Sequence, residues 1–554
     1  MDAFLVMTLK PRTEMNGKEN DRPIIDFLLS RAGEGRARLH MPGHKGRPLP
    51  GSFWKELYKV DLTELHDTDD LNDPCGMIAE SQERAARLWG ARRSYYLTGS
   101  STAGIIAGVL AAVRTGRAAG NSRPAPDGFS GEASGEVSGA VSGSGSRGAS
   151  ATVLLARNCH KSVFNACDVA GAGKIFVVPD IDGDTGIFSS VTPGQIRDAI
   201  RKAPSRPDIV VVTSPTYEGV ISDIAGIARV CREEGVPLMV DEAHGAHLGL
   251  YDVFAGSAVK AGADIVIQSL HKTLPALTQT GIAHFCSDNA ALESEFVRML
   301  RAIQSSSPSY LLTASADSCV RFLESRGEEL LSRWKKLTVY ARKKLAQYGR
   351  NAPPEARGGK EQTAPCHPEL FAGNGGTYMT DPAKICLVTP DGTDYLKKLA
   401  DRGVDAEMGY GRLLLLYTGA GTTRGDVDRA AAAISEIDAL YASTPSAPSD
   451  LRGVFGGIGG AAVAASGAVM PVVAPYDAEK SLLRDATGRI AAEYVWAYPP
   501  GIPLLCPGET VSEDTAEMIR TLREHGARLV FTGDNRVDGE ARGGSELFIR
   551  VLPG

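Results

Sequence analysis

The chain is 554 residues long, which is too long for one compact core and predicts roughly two to four domains. Its hydrophobic fraction of 43% and charged fraction of 23% are typical of globular proteins. A formal net charge of −6 argues against nucleic acid as the main partner.

The nine cysteines are scattered along the chain, and no two of them form a CxxC pair. This spacing indicates neither a zinc site nor a redox motif, and it favours reduced thiols. The N-terminus lacks the basic leader and long apolar core of a signal peptide. The long uncharged stretch after Arg452 is interrupted by glycines, which argues against a membrane span. We therefore predict a cytoplasmic protein with no membrane partner.

The first predicted units are an N-terminal segment over 1–39 and a large domain over 40–319. Within the large domain, residues 117–150 are rich in glycine and serine, and Phe129 is their only aromatic residue. Such a composition cannot bury enough apolar surface to order itself. We expect a disordered surface insertion without a catalytic role.

From Thr152 onwards, short apolar runs alternate with amphipathic stretches such as Gly226–Gly235. The runs are TVLLA, KIFVV, DIVVVTS, PLMVDEA and DIVIQS. This alternation predicts βαβ units and a mostly parallel sheet whose two faces are both covered. The predicted fold class is α/β.

The second half of the chain is predicted to hold a small α/β domain over 320–442, a linker over 443–470 and a C-terminal α+β domain over 471–554. The stretch STPSAPS, Ser443–Ser449, has the composition of a linker. In the C-terminal domain we expect a helix over Ala478–Val495. Another helix should follow, with Thr510 and Glu513 forming its capping box.

Polar residues follow four of the apolar runs, at the point where each run ends. They are Arg157–His160, Pro215–Tyr217, Asp241–His244 and Ser269–Lys272. In open parallel sheets, ligands bind beyond the carboxyl ends of the strands. The sequence therefore predicts an active site at this edge.

Lys272 and Asp241 form a pair suited to one cofactor. A lysine at a strand end can form a Schiff base with an aldehyde cofactor. Pyridoxal phosphate also needs a carboxylate at its ring nitrogen, a flat group over its ring and donors for its phosphate. Asp241 ends the run LMVD, one crossover before Lys272. Taken singly, Lys272 is equally consistent with a surface lysine and Asp241 with a helix cap.

His160 can supply the flat group, since an imidazole stacks on a pyridine ring. A metal site built from His160, His244, His247 and His271, with Asp241 or Glu242, is the alternative for these residues. It leaves Lys272 unexplained, so we predict no metal.

The phosphate site is predicted in the stretch YYLTGSSTAG, where a strand ends in a glycine turn and a helix follows. Backbone N–H groups and hydroxyls at a helix N-terminus suit a phosphate. Ser100, Ser101 and Thr102 are the candidates, with Ser269 from the other side. A plain helix cap is the alternative role for any one of them.

Several ordered motifs together resemble the bacterial ornithine/lysine/arginine decarboxylase family. They are LHMPGHKG, DLTELHDTDDLNDPCGMIAESQ, LTGSSTAG, RNCHKS, SPTYEG, VDEAHGAH, QSLHKTLPALTQTG, SSSPSYLL and YPPGIPLLCPGE. The resemblance covers most of His40–Ala316 and the tail near Tyr498–Glu509. It implies pyridoxal phosphate and the aspartate-aminotransferase-like fold (fold type I), with its mostly parallel seven-stranded large-domain sheet.

Carried over to this sequence, the resemblance implies a role for each candidate residue. Lys272 would hold the cofactor, Asp241 would pair with its ring nitrogen and His160 would stack on its ring. The remaining residues implied at the cofactor or the reacting intermediate are Ser100, Ser101, Thr102, Ser269, His271, Ala243 and His244. Ser307 and Ser309 would reach the cofactor of a neighbouring subunit.

The resemblance also has departures. His244 stands where some larger members carry a tryptophan, and the insertion over 117–150 is not part of the family pattern. The short N-terminus leaves no room for a receiver-like wing, so we expect the shorter, biosynthetic type and not a decamer. A homodimer or higher homo-oligomer, with active sites at the subunit interface, is implied.

The predicted function is decarboxylation of a basic amino acid to its amine and carbon dioxide in polyamine biosynthesis. Arginine is the first candidate substrate, then lysine, then ornithine. Glu509 and Asp70 are candidates to bind the distal cation of the substrate. Another pyridoxal-phosphate enzyme, an aminotransferase or lyase, is the alternative, followed by a non-catalytic binding protein with the same fold.

Overall fold

The structure is a computed structural model of the chain. It describes residues 22–33, 57–65, 68–118, 151–182, 185–345, 369–370, 376–443, 469–470, 478–498, 501–524, 528–533 and 547–553. Most of the predicted insertion over 117–150 and of the predicted linker over 443–470 lies outside these ranges. Arg117 and Ala118, at the start of the predicted insertion, instead end a helix.

The strands of the described residues belong to one large sheet and several small ones. They are β1 (Arg93–Leu97), β2 (Thr152–Ala156), β3 (Gly173–Val177), β4 (Ile209–Thr213), β5 (Val220–Ile221), β6 (Leu238–Asp241), β7 (Ile265–Gln268), β8 (Gly281–Phe285), β9 (Glu369–Leu370), β10 (Met379–Thr380), β11 (Lys384–Val388), β12 (Met408–Tyr410), β13 (Leu413–Tyr417), β14 (Glu479–Leu482), β15 (Val495–Tyr498), β16 (Ile502–Leu505), β17 (Arg528–Phe531) and β18 (Phe548–Val551).

The helices of the described residues connect and cover these sheets. They are α1 (Ile24–Gly33), α2 (Leu57–Val60), α3 (Met77–Trp89), α4 (Ser100–Ala118), α5 (Lys161–Ala170), α6 (Pro193–Lys202), α7 (Ile224–Glu233), α8 (Ala258–Ala261), α9 (Leu270–Thr273), α10 (Ala290–Ile303), α11 (Tyr310–Leu345), α12 (Gly392–Ala400), α13 (Arg424–Ser443) and α14 (Glu513–Glu524).

The large sheet has seven strands in the order β1-β8-β7-β6-β4-β2-β3. Strand β8 is antiparallel to both of its neighbours, and the other neighbouring strands run parallel to one another. The prediction of an α/β fold with a mostly parallel seven-stranded sheet is therefore confirmed. Since β2, β4, β6 and β7 are parallel, their carboxyl ends meet at one edge.

Close packing of α4 against the sheet follows from its small residues. A Cβ atom added at Gly108 would lie 2.5 Å from the sulfur of Met239 on β6, so no larger residue fits there without movement. Helix α4 also packs between α5 and α10. The resulting core is continuous from β3 to α10. It fixes the N-terminus of α4 beside the carboxyl ends of the strands.

A second, antiparallel sheet has the order β12-β13-β11-β9. Tyr395 and Leu399 of α12 and Ile434 and Ile437 of α13 are buried in its core. We call the part built on the seven-stranded sheet the first unit and the part built on this antiparallel sheet the second unit. Helix α11 is 36 residues long and connects them, and it runs through the predicted boundary between 319 and 320. The short pair β5–β10 joins the two units by hydrogen bonds.

The C-terminal unit pairs β14 with β18 and forms the three-stranded sheet β16-β15-β17. The predicted helix over Ala478–Val495 is wrong. These residues form β14, a 3₁₀ turn over Leu483–Asp485 and an irregular stretch with Gly488 at φ +83°. Pairing with β18, which is distant in sequence, overrides the local helical preference.

The capping box predicted at Thr510 and Glu513 is also wrong. The hydroxyl of Ser512 accepts the N–H of Thr515 at 3.0 Å and so caps α14, while Thr510 bridges to Ile490. In the parts of the chain described here, no helix combines the length and apolar character needed to cross a bilayer.

Candidate active site

The carboxyl ends of β2, β4, β6 and β7 surround a cavity of about 320 Å³. Each of these strands is followed by at least one residue that lines it. Glu407 and Tyr417 of the second unit and Ile502 of the C-terminal unit complete the wall. All three units therefore contribute to one cavity, at the edge where the sequence predicts the active site.

Lys272 lies on the short helix α9, which follows β7 directly. Lys272 is exposed to solvent and lines the cavity, so its side chain is open to a ligand. Nζ lies 2.9 Å from Nε2 of His244. Burial lowers the pKa of Lys272 below its usual value, against the opposing charges of Asp241 and Glu407. The amine is thus both reachable and biased toward its neutral form.

Asp241 is the last residue of β6 and is 2% exposed. One carboxylate oxygen accepts the N–H of Ala243 at 3.1 Å. Burial raises the pKa of Asp241, and the charge of Lys272 opposes this shift. A buried carboxylate with so few donors is stabilised by a cation, which a protonated ring nitrogen would supply.

His160 caps α5, and its Nδ1 lies 2.8 Å from the hydroxyl of Ser162. Burial lowers the pKa of His160 to about 4, with the charges of Lys272 and Lys161 adding to the effect. The imidazole is therefore neutral at neutral pH. A neutral ring lining the cavity suits stacking on a flat cofactor.

The predicted phosphate donors lie together at the N-terminus of α4. Ser101 lines the cavity, and Ser100 and Thr102 occupy the same first turn, where Ser100 Oγ accepts the Thr102 N–H at 3.3 Å. A Cβ atom at Gly281 would lie 3.2 Å from the Ser101 nitrogen and 3.0 Å from the Gln268 oxygen. This glycine lets the α4 terminus and the Gln268–Ser269 turn approach each other.

The buried polar atoms without a hydrogen-bond partner among the described residues include Oγ of Ser269 and Oδ1 of Asn158, near the cavity. Buried polar atoms are nearly always hydrogen-bonded, so these are groups that a ligand would satisfy. Together with the α4 terminus, Ser269 matches what a phosphate requires.

His244 is buried, and its ring touches the edges of Tyr217 and Tyr417, with centroids 5.3 and 5.7 Å away. Its Nδ1 lies 3.1 Å from Nζ of Lys384, the first residue of β11. Burial and the charges of the two lysines hold the pKa of His244 well below its usual value. Ala243, beside it, also lines the cavity.

His271 neighbours Lys272 in sequence but is only half-buried. Its Nδ1 donates to the carbonyl of Thr280 at 2.8 Å, which leaves Nε2 as an acceptor. The described lining of the cavity does not include His271.

The residues predicted to bind the substrate cation lie elsewhere in the described structure. Glu509 is 5% exposed and accepts from Arg157 at 3.1 Å and from the Cys506 N–H at 2.7 Å. Asp70 accepts the N–H of Asn72 at 2.8 Å. Neither belongs to the described lining of the cavity. Ser309 Oγ accepts the N–H of Leu312 in the first turn of α11.

Sequence reasoning missed the carboxylates that do line the cavity. Glu407 accepts a hydrogen bond from the hydroxyl of Tyr217, and Glu218 follows Tyr217 in the motif SPTYEG. That motif was the available sequence signal for Tyr217 and Glu218. Glu407 and Lys384 belong to the second unit, where no sequence pattern marks them.

The alternative metal site does not form within the described residues, where no three histidine, cysteine or acidic side chains are grouped to hold an ion. His247 is directed away from His244 toward a separate buried cluster. Its Nε2 lies 3.3 Å from Asp381, and its ring packs on Trp334 with centroids 4.6 Å apart.

Comparison with known proteins shows which family the chain belongs to. The family model described as Orn/Lys/Arg decarboxylase, major domain, matches residues 22–118 and 136–409, and that of the C-terminal domain matches 461–529. The chain is 29% identical over 517 residues to the protein YaaO of Bacillus subtilis, covering 90% of this chain and 94% of that one. It is 27% identical over 519 residues to an arginine decarboxylase of the same organism, covering 90% and 93%.

The fold is shared with solved structures. The lysine decarboxylase of Francisella novicida superposes with a TM-score of 0.70 at 19% identity, covering 97% of this chain and 82% of that one. Both family models match in the expected order, and the major-domain match takes in the strands that surround the cavity. The chain belongs to the Orn/Lys/Arg decarboxylase family and is an amino acid decarboxylase.

Proposed function

We propose that this protein decarboxylates a basic amino acid, with pyridoxal phosphate held at Lys272. One observation carries the proposal: a reachable lysine amine, a buried carboxylate and a neutral imidazole, from Lys272, Asp241 and His160, line the same cavity. Each lies at or just beyond the end of a different strand of the sheet, so the three come together through the fold and not through proximity in sequence.

The residues present fit this cofactor. Ser269 offers a buried hydroxyl without a partner among the described residues, next to the N-terminus of α4, where a phosphate would bind. Asp241 offers a buried negative charge for a protonated ring nitrogen. When bound, pyridoxal phosphate supplies an electron sink for the electron pair released as carbon dioxide leaves.

We assign the following roles to the protein's own residues. Asp241 would hold a proton on the ring nitrogen, and His160 would fix the ring plane by stacking. Ser100, Ser101, Thr102 and Ser269 would anchor the phosphate. Lys272, and alternatively His271, would return a proton to Cα of the product. Both are placed next to each other on α9.

Arginine is the proposed substrate, ahead of lysine and ornithine. The support is the similarity to arginine decarboxylases over 90% of the chain. The distal guanidinium needs a carboxylate partner, and Glu407 and Glu218 line the cavity. We propose these two acids, in place of Asp70 and Glu509, as the groups that bind the substrate cation.

Aminotransfer is the second candidate function within the same fold. An aminotransferase of this fold clamps the substrate carboxylate with an arginine, whereas a decarboxylase leaves that group to depart. The described residues that line the cavity include no arginine. Arg157 precedes the cavity-lining residue Asn158 in sequence. Its guanidinium donates hydrogen bonds to Glu509 and, at 2.6 Å, to the carbonyl of Pro503.

The test is product analysis with each candidate amino acid. Cofactor-loaded protein is incubated separately with arginine, lysine and ornithine, and carbon dioxide, amine and keto acid are measured. We expect carbon dioxide and agmatine from arginine and no turnover in Lys272→Ala. Keto acid without carbon dioxide would contradict the proposal, as would turnover in Lys272→Ala.

Three further proposals concern the compartment, the oligomeric state and the pathway of the protein. We propose a cytoplasmic homo-oligomer that contributes to polyamine biosynthesis, with active sites completed at the subunit interface by Ser307 and Ser309. The described cysteines are all free thiols, which is consistent with a reducing compartment.

A further inference from the structure

Lys384, a second lysine at the active site, contacts the same histidine as Lys272. It begins β11 in the second unit and is 3% exposed. Its Nζ lies 3.1 Å from Nδ1 of His244, and Nζ of Lys272 lies 2.9 Å from Nε2 of the same ring. One imidazole therefore joins two amines that belong to different units of the molecule.

This bridge limits how many protons the two amines can hold. A neutral imidazole has one N–H donor and one lone pair, whereas an ammonium group donates only. Two ammonium groups would both need the single lone pair. His244 cannot relieve this by protonation, because a cationic ring between two ammonium groups would have no acceptor on either side. While both contacts hold, at most one of the two lysines is charged.

The surroundings of Lys384 favour placing the charge there. Its Nζ lies 3.2 Å from the ring centroid of Tyr417, where a cation is stabilised by the face of the ring. Three carboxylates oppose the cost of burial: Asp381 from the turn before β11, Glu218 from the loop after β4, and Glu407 from the segment before β12.

Three further charged or titratable groups lie around Lys384: Lys272, Arg342 and His247. Lys272 on α9, when charged, lowers the pKa of Lys384 by electrostatic repulsion. Arg342 of α11 donates to the main-chain carbonyl of Lys384 at 3.0 Å. Nε2 of His247 lies 3.3 Å from Oδ1 of Asp381, so this carboxylate has a second partner besides Lys384. With burial as the largest influence and the charge of Lys272 adding to it, the pKa of Lys384 falls to about 7. When Lys272 is neutral this repulsion is absent, so Lys384 then keeps its proton to a higher pH.

We propose that Lys384 is a positioning residue that acts through His244 to keep the Lys272 amine neutral and nucleophilic. Cationic Lys384 donates to Nδ1, which fixes the Nε2–H tautomer, and Nε2–H then donates to the lone pair of Lys272. Only a neutral amine can attack an aldehyde. This inference rests on the proposed function, since it assigns Lys272 that task.

The test measures the pKa of Lys272 without the cofactor. Full-length apo protein is lightly acetylated with acetic anhydride from pH 6 to pH 11, and the acetylated fraction of the Lys272 peptide is followed by mass spectrometry. Only the neutral amine reacts, so the midpoint reports its apparent pKa. The variants are Lys384→Met, Lys384→Arg and His244→Phe, with Lys260→Met as a control that removes an exposed lysine paired with Asp252.

We expect Lys384→Met to raise the Lys272 midpoint by about one pH unit or more, because a neighbouring positive charge is lost and His244 is freed to accept from Lys272. Lys384→Arg should keep the wild-type midpoint or lower it, and Lys260→Met should leave it unchanged. In a His244→Phe background, Lys384→Met should shift the Lys272 midpoint by less than half of the shift that it causes in the wild-type background.

An unchanged midpoint in folded Lys384→Met, checked by circular dichroism, would overturn the inference. An equal shift in the presence and absence of His244 would also overturn it, because the effect would then bypass the imidazole. Failure of the proposed function is a separate outcome. It would appear as cofactor binding or turnover that survives Lys272→Ala, which the acetylation midpoint does not report.

Discussion

At the residue scale, the site depends on a carboxylate that is shielded from water. Asp241 is 2% exposed, and burial raises its pKa although Lys272 lies close by. A charge in such a place interacts strongly with any ion brought beside it, because the surroundings respond weakly. The carboxylate is therefore placed to hold a proton on a neighbouring ring nitrogen, and little else in its environment competes for it.

Asp241→Asn keeps the shape of this side chain and removes its charge. We expect kcat to fall by at least about 10²-fold, as when other preorganised electrostatic groups are removed from active sites. The visible absorbance of the lysine-bound cofactor should persist, since Lys272 is untouched. Steady-state kinetics and absorbance spectra measure both, and near-wild-type turnover in the variant would argue against the role of Asp241.

The sequence predicted part of this site because of how its residues are placed. Asp241 ends one buried strand and Lys272 lies four residues after the end of another, and polar groups in these places are conspicuous. Lys384 and Glu407 escaped prediction because they lie on another unit and reach the cavity only through folding. Lys384 in particular opens a run, ICLV, that looks like any buried strand.

At the element scale, Glu242 ties three elements together just behind the cavity. Its Oε1 accepts the Ala258 N–H at the start of α8, 2.8 Å away, and its Oε2 lies 2.7 Å from Nε2 of Gln268 on β7. Gln268 continues the network to His284 on β8 at 3.1 Å. Burial raises the pKa of Glu242 to about 8, so the folded protein keeps this carboxyl protonated at neutral pH.

A pH-dependent loss of stability follows from this shift. The unfolded chain releases the Glu242 proton near pH 4.5 and the folded protein near pH 8, so the stability contributed by the retained proton is lost as pH rises through this window. Glu242→Gln mimics the protonated form and removes the dependence. Between pH 6 and pH 8 the variant should gain about 2 kcal/mol of unfolding free energy relative to wild type.

Urea unfolding at the two pH values tests this prediction. A difference between variant and wild type that is the same at pH 6 and at pH 8 would show that Glu242 does not titrate in this range.

Element prediction succeeded where the hydrophobic pattern was unambiguous. The runs TVLLA, IVVVT and IVIQ correspond to β2, β4 and β7, because strands buried on both faces are apolar at nearly every position. It failed over Ala478–Val495, where an isolated pattern suggested a helix. There the chain pairs with β18 about seventy residues later, and no local pattern reports such a partner.

At the scale of the whole molecule, the cavity forms only where three units meet. The C-terminal unit is tied to the end of β2 by the buried pair of Arg157 and Glu509, which are 2% and 5% exposed at their side chains. Arg157 also donates to the carbonyl of Pro503, next to Ile502 in the cavity wall. This connection sets the position of that wall.

Arg157→Met should break the connection and leave Glu509 buried without its cation. Removing one partner of a buried ion pair costs about 3–5 kcal/mol of unfolding free energy, and the double variant Arg157→Met/Glu509→Met should recover much of it. Urea unfolding of the two variants measures the difference. A loss below about 1 kcal/mol in the single variant would show that the pair does not hold the unit in place.

The assignment of the cofactor to one amine, that of Lys272, can be tested directly. Borohydride reduction of the cofactor-loaded protein makes the link permanent, and peptide mass spectrometry then locates the modified residue. We expect stoichiometric modification of the peptide that contains Lys272. Modification of a different lysine, Lys384 included, or of none would contradict it.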